Sequence, residues 1–298
     1  MTRTTSPIGV GASLGASVLF ALLSYWAVLL TPLSGGAVLG WRIVTSLPVA
    51  VVTVFALGMG DQVITGLRRL RSPKILLGTV VAAAVLSVQW WLFMWAPANG
   101  RALQVSLGFF VLPIAMVVVG RFGFRERLSR PQRIAVVLAC FGAVGHLISA
   151  GSISWEVLVI ALGFTFYFTL RRVLGTADAG GTICDVLFML PVGIWFVATS
   201  PSATESWATN PNLWWAVPGL GVISGVATVA YFWAAELLPF GLFGLLSYVE
   251  PVLLVFVALA IGSPFAPIDL LGYGPIWLAV LVLAGEAALK VRRAPASG

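Results

Sequence analysis

The sequence predicts an all-α polytopic membrane protein, with ten transmembrane helices in two five-helix repeats of inverted topology. Three observations carry that expectation. Hydrophobic residues fill 60% of the 298 positions and charged residues only 9%, against roughly 25% charged in an ordinary soluble domain. Apolar runs long enough to cross ~30 Å of hydrocarbon recur from one end of the chain to the other. A shift without gaps lays residues 95–113 over 233–251, pairing Trp95 with Trp233, Ala96 with Ala234, Leu107 with Leu245, Val111 with Val249 and Pro113 with Pro251, while Phe110 falls on Tyr248.

The runs are read in order at 8–30, 36–58, 75–97, 102–120, 133–150, 155–171, 183–199, 213–235, 240–261 and 268–289. The first follows a basic Arg3 as a secretion signal would, but it is too long, lacks a good cleavage site and is followed by further spans, so it is read as a retained helix. Its Gly9, Gly11, Ala12, Gly15 and Ala16 predict a small-residue face for close helix packing. The second run carries Arg42 near its outer end, and the third closes on Gln89 and a Trp-rich segment. Asn99-Gly100 is turn chemistry between the third and fourth. The fourth and ninth hold Pro113 and Pro251, the expected paired breaks and hinges, and the fifth holds His146. Connections are short, the longest outer one running over 200–212, so no soluble domain is expected.

Placement of the net charge of +7 sets the orientation. With both termini cytoplasmic, Arg3, then Arg68, Arg69, Arg71 and Lys74, then Arg121, Arg125, Arg127, Arg130 and Arg133, then Arg171 and Arg172, then Lys290, Arg292 and Arg293 all lie inside, leaving Arg42 and Arg101 toward the other face. That is the positive-inside pattern of a plasma-membrane protein, and Trp26, Trp41, Trp90, Trp91, Trp95, Trp155, Trp195, Trp207, Trp214 and Trp215 gather toward the outer interface as an aromatic belt. Cys140 and Cys184 sit on different spans and are read as inert thiols.

An odd number of spans per half inverts the second half, so residues 1–149 and 150–298 form the two repeats. Secondary transporters use this arrangement, with sites near the midplane where the halves meet. Glu250 is the leading candidate there, because a carboxylate at bilayer depth is expensive and marks a partner or a polar path. It is a candidate substrate-amine partner or proton carrier, with a structural carboxylate as the alternative. Pro251 removes an N–H and frees the carbonyl of Ser247, which only protein or a polar cavity can receive. Ser247 and Tyr248 are expected beside Glu250. Arg42 either pairs with that charge or snorkels to the interface. Gln89 and the segment from Trp90 to Trp95 either wall a ligand or join the belt, Trp91 and Trp95 sharing a helix face. Arg101 either draws anions to the entrance or snorkels from the outer turn. A lone His146 does not assemble a His-rich metal site, and Asp185 and Glu286 lie close enough to the cytoplasmic surface to reach water.

The segment from Gln89 to Pro113, QWWLFMWAPANGRALQVSLGFFVLP, resembles the W-x-F-x-W-A-x-x-N-G-R and S-L-G-Y-F-x-x-P stretches of the RarD-like branch of EamA-type permeases, in the drug/metabolite transporter superfamily. Glu126-Arg127-Leu128 is similar to its G-E-R-L with Arg125 replacing glycine, YFTLRR at 167–172 to Y-G-L-L-R-K, FGLLSYVEP at 243–251 to L-G-L-L-Q-Y-x-x-P, and PIWLA at 275–279 to F-I-W-x-A. Asp185 occupies the acidic position six residues before Pro191. Ser247 departs from a usual glutamine, Glu236 stands where the branch tends to be basic, and Pro264 replaces the second-half G-E pair. The resemblance implies ten helices and transport of a small molecule, and it brings Phe109 among the expected substrate contacts.

No P-loop or H-E-x-x-H is present and no nucleophile is visibly paired with the lone histidine, which argues against ATP-driven pumping and common hydrolase chemistry. The expectation is a secondary transporter needing no cofactor or metal, with a small molecule, the lipid bilayer and possible coupling protons as partners. A membrane-embedded enzyme on lipid-linked substrates and a non-translocating receptor are the alternatives.

Overall fold

The computed structural model describes residues 6–98, 101–150, 154–200, 203–260 and 270–293. Every described regular element is helical, as hydrocarbon demands of a chain whose backbone polar groups must be satisfied within the segment. The helices are α1 (Pro7–Trp26), α2 (Gly35–Ala56), α3 (Gly60–Arg69), α4 (Pro73–Ala98), α5 (Ala102–Phe122), α6 (Arg130–Ala150), α7 (Trp155–Val173), α8 (Ala179–Ala198), α9 (Ala203–Thr209), α10 (Leu213–Leu237), α11 (Phe240–Leu246), α12 (Val249–Ala260) and α13 (Leu270–Arg293). Segments of α1, α2, α4, α8 and α10 are each long and apolar enough to cross a membrane, and shorter apolar helices cover 107–122, 240–253 and 271–283. The protein is a polytopic membrane protein.

Each expected run coincides with a helix, with two additions and one division. α3 and α9 are extra helices in connections read as plain loops, and the ninth run is divided into α11 and α12 at Ser247 and Tyr248. Polar connections carry ordinary helix boundaries. Ser34 caps α2 by accepting the Ala37 N–H at 3.2 Å, and Ser129 and Gln132 exchange side-chain-to-backbone bonds in a capping box before α6. α2 and α7 both end in Schellman motifs on left-handed glycines, Gly58 at φ 72° and Gly175 at φ 66°.

α1 and α2 pack on α10, α4 on α7 and α8, α5 on α7, α2 on α8, α5 on α11, α6 on α13, and α1 on α12. Small residues set these crossings. A Cβ added at Gly40 would lie 2.7 Å from the Gly193 carbonyl, at Gly145 2.5 Å from that of Leu271, and at Gly108 2.6 Å from Ile160. The small-residue face expected on α1 is rearranged: Gly9, Ser13, Ala16 and Ser17 are buried, whereas Gly11 and Gly15 face open space. Gly9 meets Leu237 and Leu238, which is where α1 approaches the end of α10.

α3 lies against the start of α8. Asp178 caps α8 through the Gly181 N–H at 2.8 Å and pairs with Arg69, while the Gln62 amide oxygen accepts the Ala179 N–H at 3.0 Å. A Cβ at Gly180 would stand 1.9 Å from the Gln62 carbonyl oxygen. Gly180→Val therefore forces α3 off α8, at a cost of about 1–3 kcal/mol by overpacking. The expected result is a lower melting temperature in detergent and faster proteolysis around α3, with Gly11→Val, which meets open space, as an unchanged control.

Candidate functional site

A cavity opens between the two halves of the chain, lined by Phe20, Leu23, Arg42, Gln89, Trp90, Phe93 and Phe109 from the first half and by Phe164, Thr228, Tyr231, Phe232 and Glu250 from the second. Its charge comes from α2 and α12. Arg42 is 4% exposed, donates from Nε to Ser224 Oγ at 2.9 Å and lies 4.1 Å over the Trp90 ring. Snorkelling is thereby set aside, because the side chain turns inward to a hydroxyl and an aromatic face. Glu250 stands within electrostatic reach of Arg42 and of Tyr231. Hydrogen bonding holds Arg42 on α10 rather than in contact with the carboxylate, so the cavity keeps separated positive and negative groups.

Gln89 completes the polar set. Its Nε2 donates to the Val159 carbonyl at 3.0 Å, leaving Oε1 buried without a hydrogen-bond partner, and the Thr228 hydroxyl is likewise buried and unpartnered. The close fit of Gln89 against α7 depends on Gly163, where a Cβ would fall 2.0 Å from Nε2. Unpaired buried polar groups cost about 1–3 kcal/mol each, so this site holds capacity that a bound molecule or water satisfies. The free volume is about 60 Å³, room for a few waters and far below the roughly 300–1,000 Å³ of drug-sized ligand sites.

The structure distributes the remaining expected residues elsewhere. Tyr248 is fully buried and donates its hydroxyl to the Phe110 carbonyl at 2.7 Å, among Phe110, Leu245, Ile276 and Ala279. Ser247 donates to the Gly244 carbonyl at 2.6 Å. Both belong to the α11–α12 junction rather than to the cavity lining. Trp91 and Trp95 stack on each other at 5.3 Å and Trp95 reaches Trp155 at 6.0 Å, outside the lining, because the inward helix face carries Gln89, Trp90 and Phe93. Arg101 pairs with the buried Glu156 at 3.5 Å. Asp185 does not reach water: it is fully buried, 3.2 Å from Arg171 Nε, and accepts from the Tyr167 hydroxyl at 2.6 Å. The Asn99-Gly100 turn, Pro264 and the His146 side chain lie outside the described residues.

The expected breaks also differ. Pro113 sits buried inside an uninterrupted α5, and the carbonyl of Ser247 is not left free, since it accepts the Glu250 N–H at 3.3 Å in a tight turn. Pro251 falls in the first turn of α12, where a missing N–H costs no helical bond.

Sequence reasoning did not assign a structural role to Glu126, which the fold makes central. Its carboxylate accepts the N–H groups of Phe240 at 2.7 Å and Gly241 at 2.9 Å, pairing with Arg172 at 2.9 Å. Arg172 in turn lies 4.2 Å over the Phe124 ring. This clasp joins the α5–α6 loop to the start of α11 and the end of α7, binding the two halves at the end where the basic loops gather. The family motif around Glu126 was the available signal, but no spacing rule pairs a loop carboxylate with backbone 114 residues away.

With that geometry in place, known proteins give a consistent answer. The chloramphenicol-sensitive protein RarD of Pseudomonas aeruginosa is 41% identical over 96% of both chains. The chain belongs to the RarD-like branch of the drug/metabolite transporter superfamily. An uncharacterized transporter of Haemophilus influenzae is 38% identical over 86% of each chain, and one of Pasteurella multocida 35% identical over 96% of this chain and 98% of its own. No family model matches. A solved crystal structure overlays 94% of this RarD-like chain and 98% of its own at TM-score 0.65 and 18% identity, which establishes the shared fold.

Charge-assisted bonds to backbone contribute about 1.5–3 kcal/mol each. Glu126→Gln keeps one acceptor and loses the ion pair and one backbone bond, so a loss of about 2–3 kcal/mol is expected as a lower unfolding temperature in detergent. Arg172→Gln leaves both backbone bonds intact and should destabilise less.

Proposed function

We propose that this protein is a secondary transporter of the plasma membrane, both termini cytoplasmic, that moves a small metabolite or drug-like molecule by alternating access and uses protons as its coupling ion. The observation that carries the reading is the cavity between the halves in which Arg42 and Glu250, one charge from each half, face a wall of aromatic rings. Such a site suits a molecule with an apolar or aromatic body and at least one charged group. The transporter names of the relatives favour this over a membrane enzyme or a receptor.

The helix packing supports reading the chain as an inverted repeat, which suits that mechanism. Exchanging α1, α2, α4, α5 and α6 with α7, α8, α10, α11–α12 and α13 maps the packed pairs onto one another: α1 with α10 onto α7 with α4, α2 with α10 onto α8 with α4, and α5 with α7 onto α12 with α1. Phe110 and Tyr248, related by the same 138-residue shift as the two prolines, touch each other. Equivalent residues meet only near the axis that exchanges them. The contracted cavity and the closed Glu126 clasp then describe a state shut at the basic end, and alternation requires that clasp to open.

Glu250→Gln is expected to preserve the fold and to abolish the pH dependence of transport in proteoliposomes. Unchanged rates in both forms from about pH 5.5 to 8 would reject proton coupling and leave Glu250 as a ligand contact. Substrate class is read by thermal shift against amino acids, nucleosides and amphenicol-type drugs, since a native-state ligand raises apparent stability. Arg42→Lys, which loses both the Nε bond and the planar stack on Trp90, should remove the shift given by any hit.

A further inference from the structure

A second recess lies far from the central cavity, on the outside of the bundle where α5 ends and α6 begins. It encloses about 540 Å³ between Val117, Val118, Arg121, Phe122, Arg127, Leu128 and Arg133. Its lining is divided by chemistry. Val118 is 49% and Phe122 79% exposed, the side chains of a helix that faces hydrocarbon, and the arginines stand in its last turn (Arg121), in the loop that follows (Arg127) and in the first turn of α6 (Arg133). An apolar wall ending in a cationic rim is the profile of the level where acyl chains give way to headgroups.

The three guanidinium groups are not neutralised from within. Among the described residues, none of Arg121, Arg127 and Arg133 forms an ion pair, and Arg121 makes a weak 3.4 Å bond to the Glu126 carbonyl. The stretch 121–133 holds one acidic residue, Glu126, and its carboxylate is consumed by the Phe240 and Gly241 N–H groups and by Arg172. Arg125 and Arg130 lie in the same stretch of sequence and add the same sign of charge. Planar guanidiniums match phosphate oxygens in two-point contact better than ammonium groups do.

We propose that this recess binds an anionic phospholipid, with the phosphate held among Arg121, Arg127 and Arg133 and an acyl chain lying along Val117, Val118 and Phe122. Basic recesses between transmembrane helices are suited to such headgroups, and a zwitterionic lipid offers no net charge to the rim. The site stands on the membrane placement of the chain and is independent of the transport reading. It also adjoins the clasp, because Arg121 touches the backbone of the residue whose carboxylate holds α11.

The test counts bound lipid by native mass spectrometry of detergent-purified protein titrated with phosphatidylglycerol or phosphatidylcholine, and follows melting temperature in the same samples. Wild type should retain phosphatidylglycerol in preference to phosphatidylcholine and be stabilised by it. The triple variant R121Q/R127Q/R133Q should bind it on the order of a hundredfold more weakly. R68Q/R71Q, which removes exposed basic charge elsewhere on the same end, should bind as wild type does. Equal retention of the two lipids by wild type, full binding by the triple variant, or an equal loss in R68Q/R71Q would each overturn the site. An equal thermal shift from inorganic phosphate at matched concentration would overturn the lipid as its ligand. Val118→Asn, which spares every arginine, should weaken lipid retention if the acyl chain lies where stated, and unchanged retention would overturn that placement.

Discussion

The interrupted ninth span is the constraint around which the rest is arranged. Cutting a helix inside hydrocarbon exposes backbone donors and acceptors that no water can reach, and each must find a partner in the protein. At the break the Ser247 carbonyl accepts the Glu250 N–H and the Tyr248 hydroxyl ties the junction to α5, while at the other end of α11 the Glu126 carboxylate accepts the helix's first two N–H groups. These bonds draw residues from both halves. They also fix where α12 starts, and therefore where Glu250 stands. A site charge is positioned here by the way a broken helix is repaired.

From that position follows the character of the cavity. Arg42 is satisfied by Ser224 and by the Trp90 face, so it does not collapse onto Glu250. Two separated charges in an apolar surround exert fields that a contact ion pair would cancel, since attraction at low dielectric is strong and dehydration is costly. The aromatic walls supply contact area, and the unpaired Gln89 and Thr228 groups supply direction. The buried Arg171, Asp185 and Tyr167 group does the opposite, with its charges in close contact between α7 and α8. One arrangement suits binding and the other suits cohesion.

The end of the bundle that carries the clasp also carries the basic loops and the arginine-rimmed recess. Glu126 on the α5–α6 connection and Arg121 in the last turn of α5 lie five residues apart, the first turned into the bundle and the second exposed. Forces applied at the headgroup level and forces that hold α11 therefore act on one short loop. The small-residue crossings of α2 with α8 and α6 with α13 bring those helices to near backbone contact.

Membrane character was legible from composition, because a chain with so few charges has no other solvent. Helix positions were legible from apolar length, because span length is dictated by bilayer thickness rather than by packing. The divided ninth span was marked by Pro251, and a charge at depth singled out Glu250. α3 was missed because its polar character reads as a loop until α8 offers it a surface through Gly66 and Gly180. Trp91 and Trp90 are adjacent in sequence, and only helix rotation in the bundle decides that Trp90 faces the cavity. Ser247 and Tyr248 flank a site charge in the chain yet turn to the backbone, because the break they bridge needs their hydroxyls. The sequence alone therefore determined the solvent, the spans and the costly charge. Which partners meet was decided by tertiary packing, since contacts between α2 and α10 or Glu126 and α11 link positions that no local periodicity connects.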